Sequence, residues 1–430
     1  MCNSFSTLDC AAKFINKFCR KGLPPIPTDE LVIVPGVTTG ADLLGQILFD
    51  PGDIVLVPAP YYFRFANDFG ERGLVRIGVV PALSACGRHT ELRVERFEQA
   101  YQDAQKLGKV RAVTLVNPQN PEGGIFSLEE LRPIIKWALS RDLYVVLDEI
   151  YDLVIYDPTS GAQFQSATEL FDTPKSRQRL IWLWGLSKNF SLPGLRFALL
   201  YTPNTVVRMA CMRFLMHHLP NTTTQFIARQ FMGDHDWVEK TFIPENLRRL
   251  HEACDTVMAV LDRDGVPYIR PRAGFFILMD FSKFLDAPTF EAERRLHQLF
   301  LKNKVIISAG ETMLAPKPGY FRLVFSSVHR VGLVKALERI SATLTQQQAK
   351  CITSEENGTI IYQNDVNRSD SGAESGSGLE YDDDEEPNGF NESKNGEEHT
   401  TTIVEPVALP NGTTGRKIIH LKSVIESNER

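Results

Sequence analysis

The sequence predicts an α/β fold: a mostly parallel sheet with helices on both faces, then a small α+β domain and a disordered acidic tail. Three observations predict it. Apolar runs of strand length alternate with stretches of helical spacing from residue 31 to residue 201. Several of those runs stop at Pro, Gly, Asn, Asp or Ser, the punctuation expected at strand ends. Residues 349–430 are instead rich in Ser, Gly, Asn, Asp and Glu, a composition that cannot bury enough apolar surface to fold alone.

A chain of 430 residues that is 43% hydrophobic and 23% charged has material for one large core and one smaller core. We divide it into a shortened N-terminal segment (1–30), a large domain (31–235), a small C-terminal domain (236–348) and the acidic tail (349–430). The net charge of -6 is concentrated in that tail, where residues 351–430 carry 17 acidic and 6 basic side chains, so the body is slightly basic. No basic stripe with interleaved aromatics appears, which argues against a nucleic-acid partner. The seven cysteines, at 2, 10, 19, 86, 211, 254 and 351, are odd in number and never spaced Cys-x-x-Cys, so neither zinc nor a redox pair is expected. Met1–Arg20 lacks an apolar core of signal-peptide length, and no apolar run approaches membrane-spanning length. A cytoplasmic protein is the expectation, and the Asn-x-Ser/Thr triplets at Asn221, Asn357, Asn367, Asn391 and Asn411 read as chance matches. His217 and His218 are adjacent on a helix and cannot face one metal, so they read as structural or exposed.

In chain order, helical spacing over 9–20 precedes a strand at Leu31–Val34. That strand runs into Pro35-Gly36-Val37-Thr38-Thr39-Gly40 and a helix. Such a turn offers free backbone N–H groups to a phosphate, with the Thr38 hydroxyl beside them. The strand Ile54–Pro58 delivers Tyr61-Tyr62, an aromatic pair able to stack on a flat heterocycle. After a strand at 74–80 and a helix near 94–107, the strand Val110–Val116 ends in Asn117-Pro118-Gln119-Asn120-Pro121-Glu122-Gly123-Gly124, a rigid turn that can aim an asparagine amide. A helix over 127–139 leads to the strand Leu143–Leu147, which terminates in Asp148-Glu149-Ile150-Tyr151. An acid at the carboxyl end of a strand lies where ligands of open α/β sheets gather.

The next strand, Leu180–Trp184, ends in Gly185-Leu186-Ser187-Lys188, and Arg196 follows a Pro-Gly turn eight residues beyond the lysine. A strand-end lysine can lose its proton and bond covalently to an aldehyde cofactor, while a nearby arginine neutralises that cofactor's phosphate. Pyridoxal phosphate requires this arrangement. Helical segments then run to about 263. A strand at 275–281, a helix near 289–302, strands at 305–307 and 320–325, and a last helix ending near Gln347 complete the small domain. The patch Lys417–Val424 reads as solvated tail, with docking to a protein partner as its alternative.

Taken singly, each motif has a structural explanation; their order does not. The phosphate turn, the Asn-Pro turn, Asp-x-x-Tyr and Ser-Lys with its following arginine together resemble the fold-type I, class I/II pyridoxal-phosphate aminotransferase family. Leu48-Phe49-Asp50-Pro51-Gly52-Asp53 and Pro58-Ala59-Pro60-Tyr61-Tyr62 resemble its 1-aminocyclopropane-1-carboxylate (ACC) synthase-like branch, and the resemblance covers roughly residues 29–347. It implies that Lys188 attaches the cofactor and shuttles the substrate's α-proton, and that Asp148 pairs with the pyridine nitrogen. By the same resemblance Asn120 and Tyr151 donate to the ring hydroxyl, Tyr62 stacks on the ring, and Arg196, Thr38 and the Val37 amide hold the phosphate. Ser187 is a further candidate there, and Arg322 matches the arginine that binds the substrate carboxylate.

The implied activity is a reaction at the α-carbon of an amino acid, by transamination or by ACC-synthase-type elimination, in a homodimer. Two departures support an alternative, a noncatalytic protein of the same fold whose acidic tail binds a partner. Gly185 stands where the family has a phosphate-binding serine. About 35 residues precede Gly36 and contain no tyrosine, whereas the family has a longer segment with a tyrosine that reaches the partner subunit's phosphate.

Overall fold

The computed structural model describes residues 5–157, 161, 163–356, 398–408 and 414–424. Seven strands in the first half build most of a large sheet: β1 (Leu31–Val34), β2 (Ile54–Ala59), β3 (Arg76–Pro81), β4 (Val110–Val116), β5 (Tyr144–Asp148), β6 (Leu180–Gly185) and β7 (Ala198–Tyr201). Their spatial order is β1-β7-β6-β5-β4-β2-β3. The pairs β3–β2, β2–β4, β4–β5 and β5–β6 are parallel, whereas β7 runs antiparallel to β6 and β1.

Side-chain alternation along β6 explains how helices cover both faces. Leu180, Trp182 and Trp184 pack into the core that holds Phe14 and Ile15 of the first helix, Phe5–Phe18. Ile181 and Leu183 point the other way, into the core with Ala41 and Leu44 of the helix Val37–Leu48. The N-terminal helix therefore belongs to the large domain's core, and it starts four residues earlier than the spacing suggested. The helix Leu128–Ser140 is fixed by a capping box, in which Glu130 N–H donates to Ser127 Oγ at 3.2 Å and Ser127 N–H donates to Glu130 Oε2 at 2.8 Å.

The small domain carries an antiparallel sheet of β8 (Tyr268–Ile269), β9 (Phe276–Asp280), β10 (Ser308–Ala309) and β11 (Tyr320–Val324), in the order β10-β11-β9-β8. The strand expected at 305–307 is not formed. Val305 N–H instead donates to Phe300 O at 2.9 Å, closing the end of the helix Phe290–Lys302, and pairing begins only at Ser308. The last helix runs from Arg330 to Glu356, past the expected end near Gln347.

The tail needs a larger correction. Two of its segments form a hairpin, β12 (Glu398–Ala408) and β13 (Thr414–Val424), that extends the large sheet beyond β3. Thr402, Ile403 and Val404 pair antiparallel with Val79, Gly78 and Ile77. Arg76 donates to Glu405 Oε1 at 3.1 Å, while Ile403 and Val404 are fully buried. The physical reason is the edge of β3, whose backbone groups would otherwise lack partners, met by a short apolar pair that the polar average of residues 349–430 conceals. Lys417–Val424 lies in β13; the acidic run Asp382–Glu386 lies outside the described residues.

The hairpin supplies no residue to the cavity described below. Ile403→Ala should therefore cost about 2–4 kcal/mol in denaturant unfolding, and removal of residues 357–430 should leave cofactor binding intact. Loss of cofactor binding on that truncation would contradict a purely structural hairpin.

Candidate active site

Three strand ends and one helix start meet at a single cavity of about 180 Å³. β4 leads to Asn120 and β5 ends in Asp148, followed by Tyr151. β6 leads into the short helix Leu186–Asn189 with Ser187 and Lys188, and the helix Val37–Leu48 begins with Val37 and Thr38. Together with Tyr62 and Arg196, these nine candidate residues all line the cavity.

At one end, Gly36 has φ +93°, a left-handed backbone that a side chain would strain. A Cβ at that position would also stand 2.2 Å from the Arg196 guanidinium, so the glycine lets arginine and turn share the space. Arg196 is itself left-handed, with φ 52°, and its guanidinium donates to Pro193 O at 3.1 Å. The first N–H groups of a helix lack internal partners; with a guanidinium and the Thr38 hydroxyl, they form a set that fits a phosphate.

Deeper in the cavity, Asp148 Oδ1 accepts the Ile150 N–H at 3.1 Å. Burial pushes its carboxyl up to about 7, against the pull of that N–H and of Lys188. A cation placed against Asp148, such as a protonated pyridine nitrogen, would favour the carboxylate. Asn120 Nδ2 donates to the Tyr151 hydroxyl at 3.2 Å, and Arg322 donates to Asn120 Oδ1 at 2.9 Å and to Ser308 Oγ at 3.2 Å. Burial raises the Tyr151 phenol well above its ordinary value and brings that of Tyr62 up to about 12, so both hydroxyls stay protonated.

The Lys188 ammonium is held below the ordinary lysine range by burial and then by Arg322, with Asp148 opposing. Its Nζ sits 5.5 Å from the Phe275 ring centroid. A lysine so placed can supply a neutral amine. Arg322 Nε is buried without a hydrogen-bond partner, leaving donor capacity for a substrate carboxylate. The donor set thus fits pyridoxal phosphate at each end: a cationic phosphate cradle, a carboxylate for the ring nitrogen and an amine between them.

Gly185 is tightly packed: a Cβ there would meet Ala198 Cβ at 3.0 Å and Phe197 O at 3.2 Å, so a side chain at this position would need its neighbours to give by a few tenths of an ångström. Phe65, Asp68, Val116, Ile150 and Pro193 also line the cavity, though none of them is a site candidate from the sequence. Phe63 and Phe276 each stand 5.8 Å from the Arg322 guanidinium, walls that only the tertiary fold reveals.

Fold and site together define a fold-type I, pyridoxal-phosphate-dependent class of protein. The chain belongs to the class I and II aminotransferase family, whose model matches residues 5–340. The 1-aminocyclopropane-1-carboxylate synthase-like protein 1 of Bos taurus is 36% identical over 342 residues, covering 78% of this chain and 67% of its own length. The probable inactive 1-aminocyclopropane-1-carboxylate synthase-like protein 2 of Homo sapiens is 33% identical over 352 residues, covering 80% and 61%. The chain thus spans about two thirds or less of the length of these relatives. Among solved structures, an aromatic aminotransferase from Pyrococcus horikoshii OT3 superposes with a TM-score of 0.68 at 21% identity, covering 80% of this chain and 86% of its own, a likeness of fold.

Proposed function

We propose that this protein is a pyridoxal-phosphate enzyme that acts at the α-carbon of an amino acid by transamination. The observation that carries the reading is Lys188, a half-buried amine that lines the cavity with Asp148 and whose charge is disfavoured by burial and by Arg322. When bound, the cofactor supplies a ring that accepts electron density from the substrate's α-carbon. Asp148 holds the proton on the ring nitrogen, Asn120 and Tyr151 orient the ring hydroxyl, and Tyr62 covers the ring face. Val37, Thr38 and Arg196, with Ser187 nearby, anchor the phosphate. Arg322 fixes the substrate carboxylate, and Lys188 takes the α-proton and returns it. ACC-synthase-type elimination begins with the same proton transfer and uses the same groups.

The working form in this reading is a homodimer. Met209, Met212, Phe214, Met216 and Phe226 are each about half or more exposed, a concentration of apolar side chains suited to a second copy of the chain. Sedimentation should show a dimer that Met212→Glu weakens; an unchanged monomer in both would remove this surface from the interface. A cytoplasmic location accords with the cysteines at 10, 19, 86, 211 and 254, all of them free thiols, and cell fractionation tests it.

A second reading, a noncatalytic protein of this fold with a partner-binding tail, is favoured by Gly185, which stands where the family has a phosphate-binding serine and is tightly packed against Phe197 and Ala198. Candidate amino acids added to the pyridoxal-phosphate-loaded protein separate the two readings. Conversion of the cofactor's absorbance to that of its amine form supports transamination, and unchanged spectra across a broad panel support the noncatalytic protein.

A further inference from the structure

One group in the cavity has no part in the chemistry above. Asp68 lies on the helix Phe65–Gly70, which packs closely on the helix Val37–Leu48: a Cβ at Gly45 would come within 2.9 Å of Phe69 O. The residue is 4% exposed, and it lines the cavity together with Val37, Thr38 and Arg196. Its Oδ1 has no hydrogen-bond partner, since Arg64 Nε stands 3.6 Å away, beyond hydrogen-bond distance. An acid in this position faces the phosphate cradle, where a second negative charge would oppose the ligand.

The groups that face Asp68 come from several elements. Arg64 and Glu71 flank it in its own segment, the Thr38 hydroxyl approaches from the neighbouring helix, and Tyr62 and Asp148 approach across the cavity. Burial dominates, raising the carboxyl to about 7 against Arg64 and Thr38, while Glu71 pushes the same way as burial. The Thr38 hydroxyl has one proton to give. Given to an ionised Asp68, it leaves only oxygen lone pairs at Thr38 for the phosphate, beside the donors of Arg196 and the helix start. A protonated Asp68 reverses the bond: the carboxyl donates to Thr38 Oγ1, and Thr38 donates onward.

We propose that Asp68 is a positioning residue for the cofactor phosphate, acting in its neutral form as a donor to Thr38, which in turn donates to a phosphate oxygen. This inference rests on the pyridoxal-phosphate assignment. The phosphate's charge makes ionisation of Asp68 harder still, so the folded carboxyl has a higher pKa with the cofactor than without it. The donor chain is therefore fully present below the free protein's value of about 7 and is lost as pH rises. Between the free and bound values, affinity falls by up to about tenfold per pH unit.

The test is equilibrium binding of pyridoxal phosphate to the apo full-length protein, followed by absorbance, for the wild type and Asp68→Asn. An asparagine amide donates to Thr38 at every pH, and Lys188, Asp148 and the phosphate titrate in both proteins, so the ratio of Kd values isolates Asp68. The expected ratio, wild type over variant, is level at acid pH and rises above about pH 7. Pyridoxal, which lacks the phosphate, should give a ratio independent of pH. Thr38→Val, which breaks the chain from its other end, should weaken the wild type's phosphate-specific binding at acid pH and have little effect at alkaline pH. A pH-independent ratio with pyridoxal phosphate, the same pH dependence with pyridoxal, or a Thr38→Val effect equal at all pH values would overturn the proposal. Failure of the wild type to bind pyridoxal phosphate at any pH would instead overturn the cofactor assignment beneath it.

Discussion

Lys188→Ala should give a folded protein without the visible absorbance of a lysine-bound cofactor, with turnover lower by at least roughly 10²–10⁴-fold, the range for losing a positioned acid–base group. The side chain is half-buried and its charge is disfavoured where it sits, so its loss removes little from the folded state. Pyridoxal phosphate should still bind, because Arg196, Thr38 and Asp148 remain. Absorbance spectra of loaded wild type and variant, with an unfolding curve for each, separate a chemical loss from a folding loss. Equal colour in both proteins would assign the covalent bond to another amine.

Arg322→Gln should lower kcat/KM by about 10²-fold or more, corresponding to the roughly 2–5 kcal/mol lost when one side of a buried charged contact is removed. Stability should not fall with it. Among the described residues no carboxylate pairs with this guanidinium, which spends its hydrogen bonds on Asn120 and Ser308 and keeps a buried, unpartnered Nε. A buried cation without a counter-ion is a cost to the folded protein that a substrate carboxylate would relieve. Steady-state kinetics together with a thermal unfolding curve test this. Unchanged kcat/KM with lowered stability would make Arg322 a structural residue.

Some of this architecture is written locally. Alternation along β6 assigns Trp182 and Trp184 to one face and Leu183 to the other. Asp148 and Lys188 announce themselves because a polar residue follows an apolar run at a strand end, where the backbone sets the position. The helix Leu128–Ser140 was equally legible, because Ser127 and Glu130 mark its start in the sequence. Other features depend on distant partners. Asp68 looks like a polar residue on a short helix until that helix packs beside Thr38, thirty residues earlier in the chain. Ile403 and Val404 are a brief apolar interruption in a polar tail, and only the unpaired edge of β3 gives them a place. Val305–Ile307 has strand composition, yet the backbone of Val305 is already committed to the end of a helix.

The most direct test of the central claim is to load the full-length protein with pyridoxal phosphate, reduce it with borohydride and map the modified residue by mass spectrometry. The account predicts a single reduced cofactor on Lys188, absent from Lys188→Ala. A protein that takes up no label, or carries it on other lysines while Lys188 stays free, would contradict it.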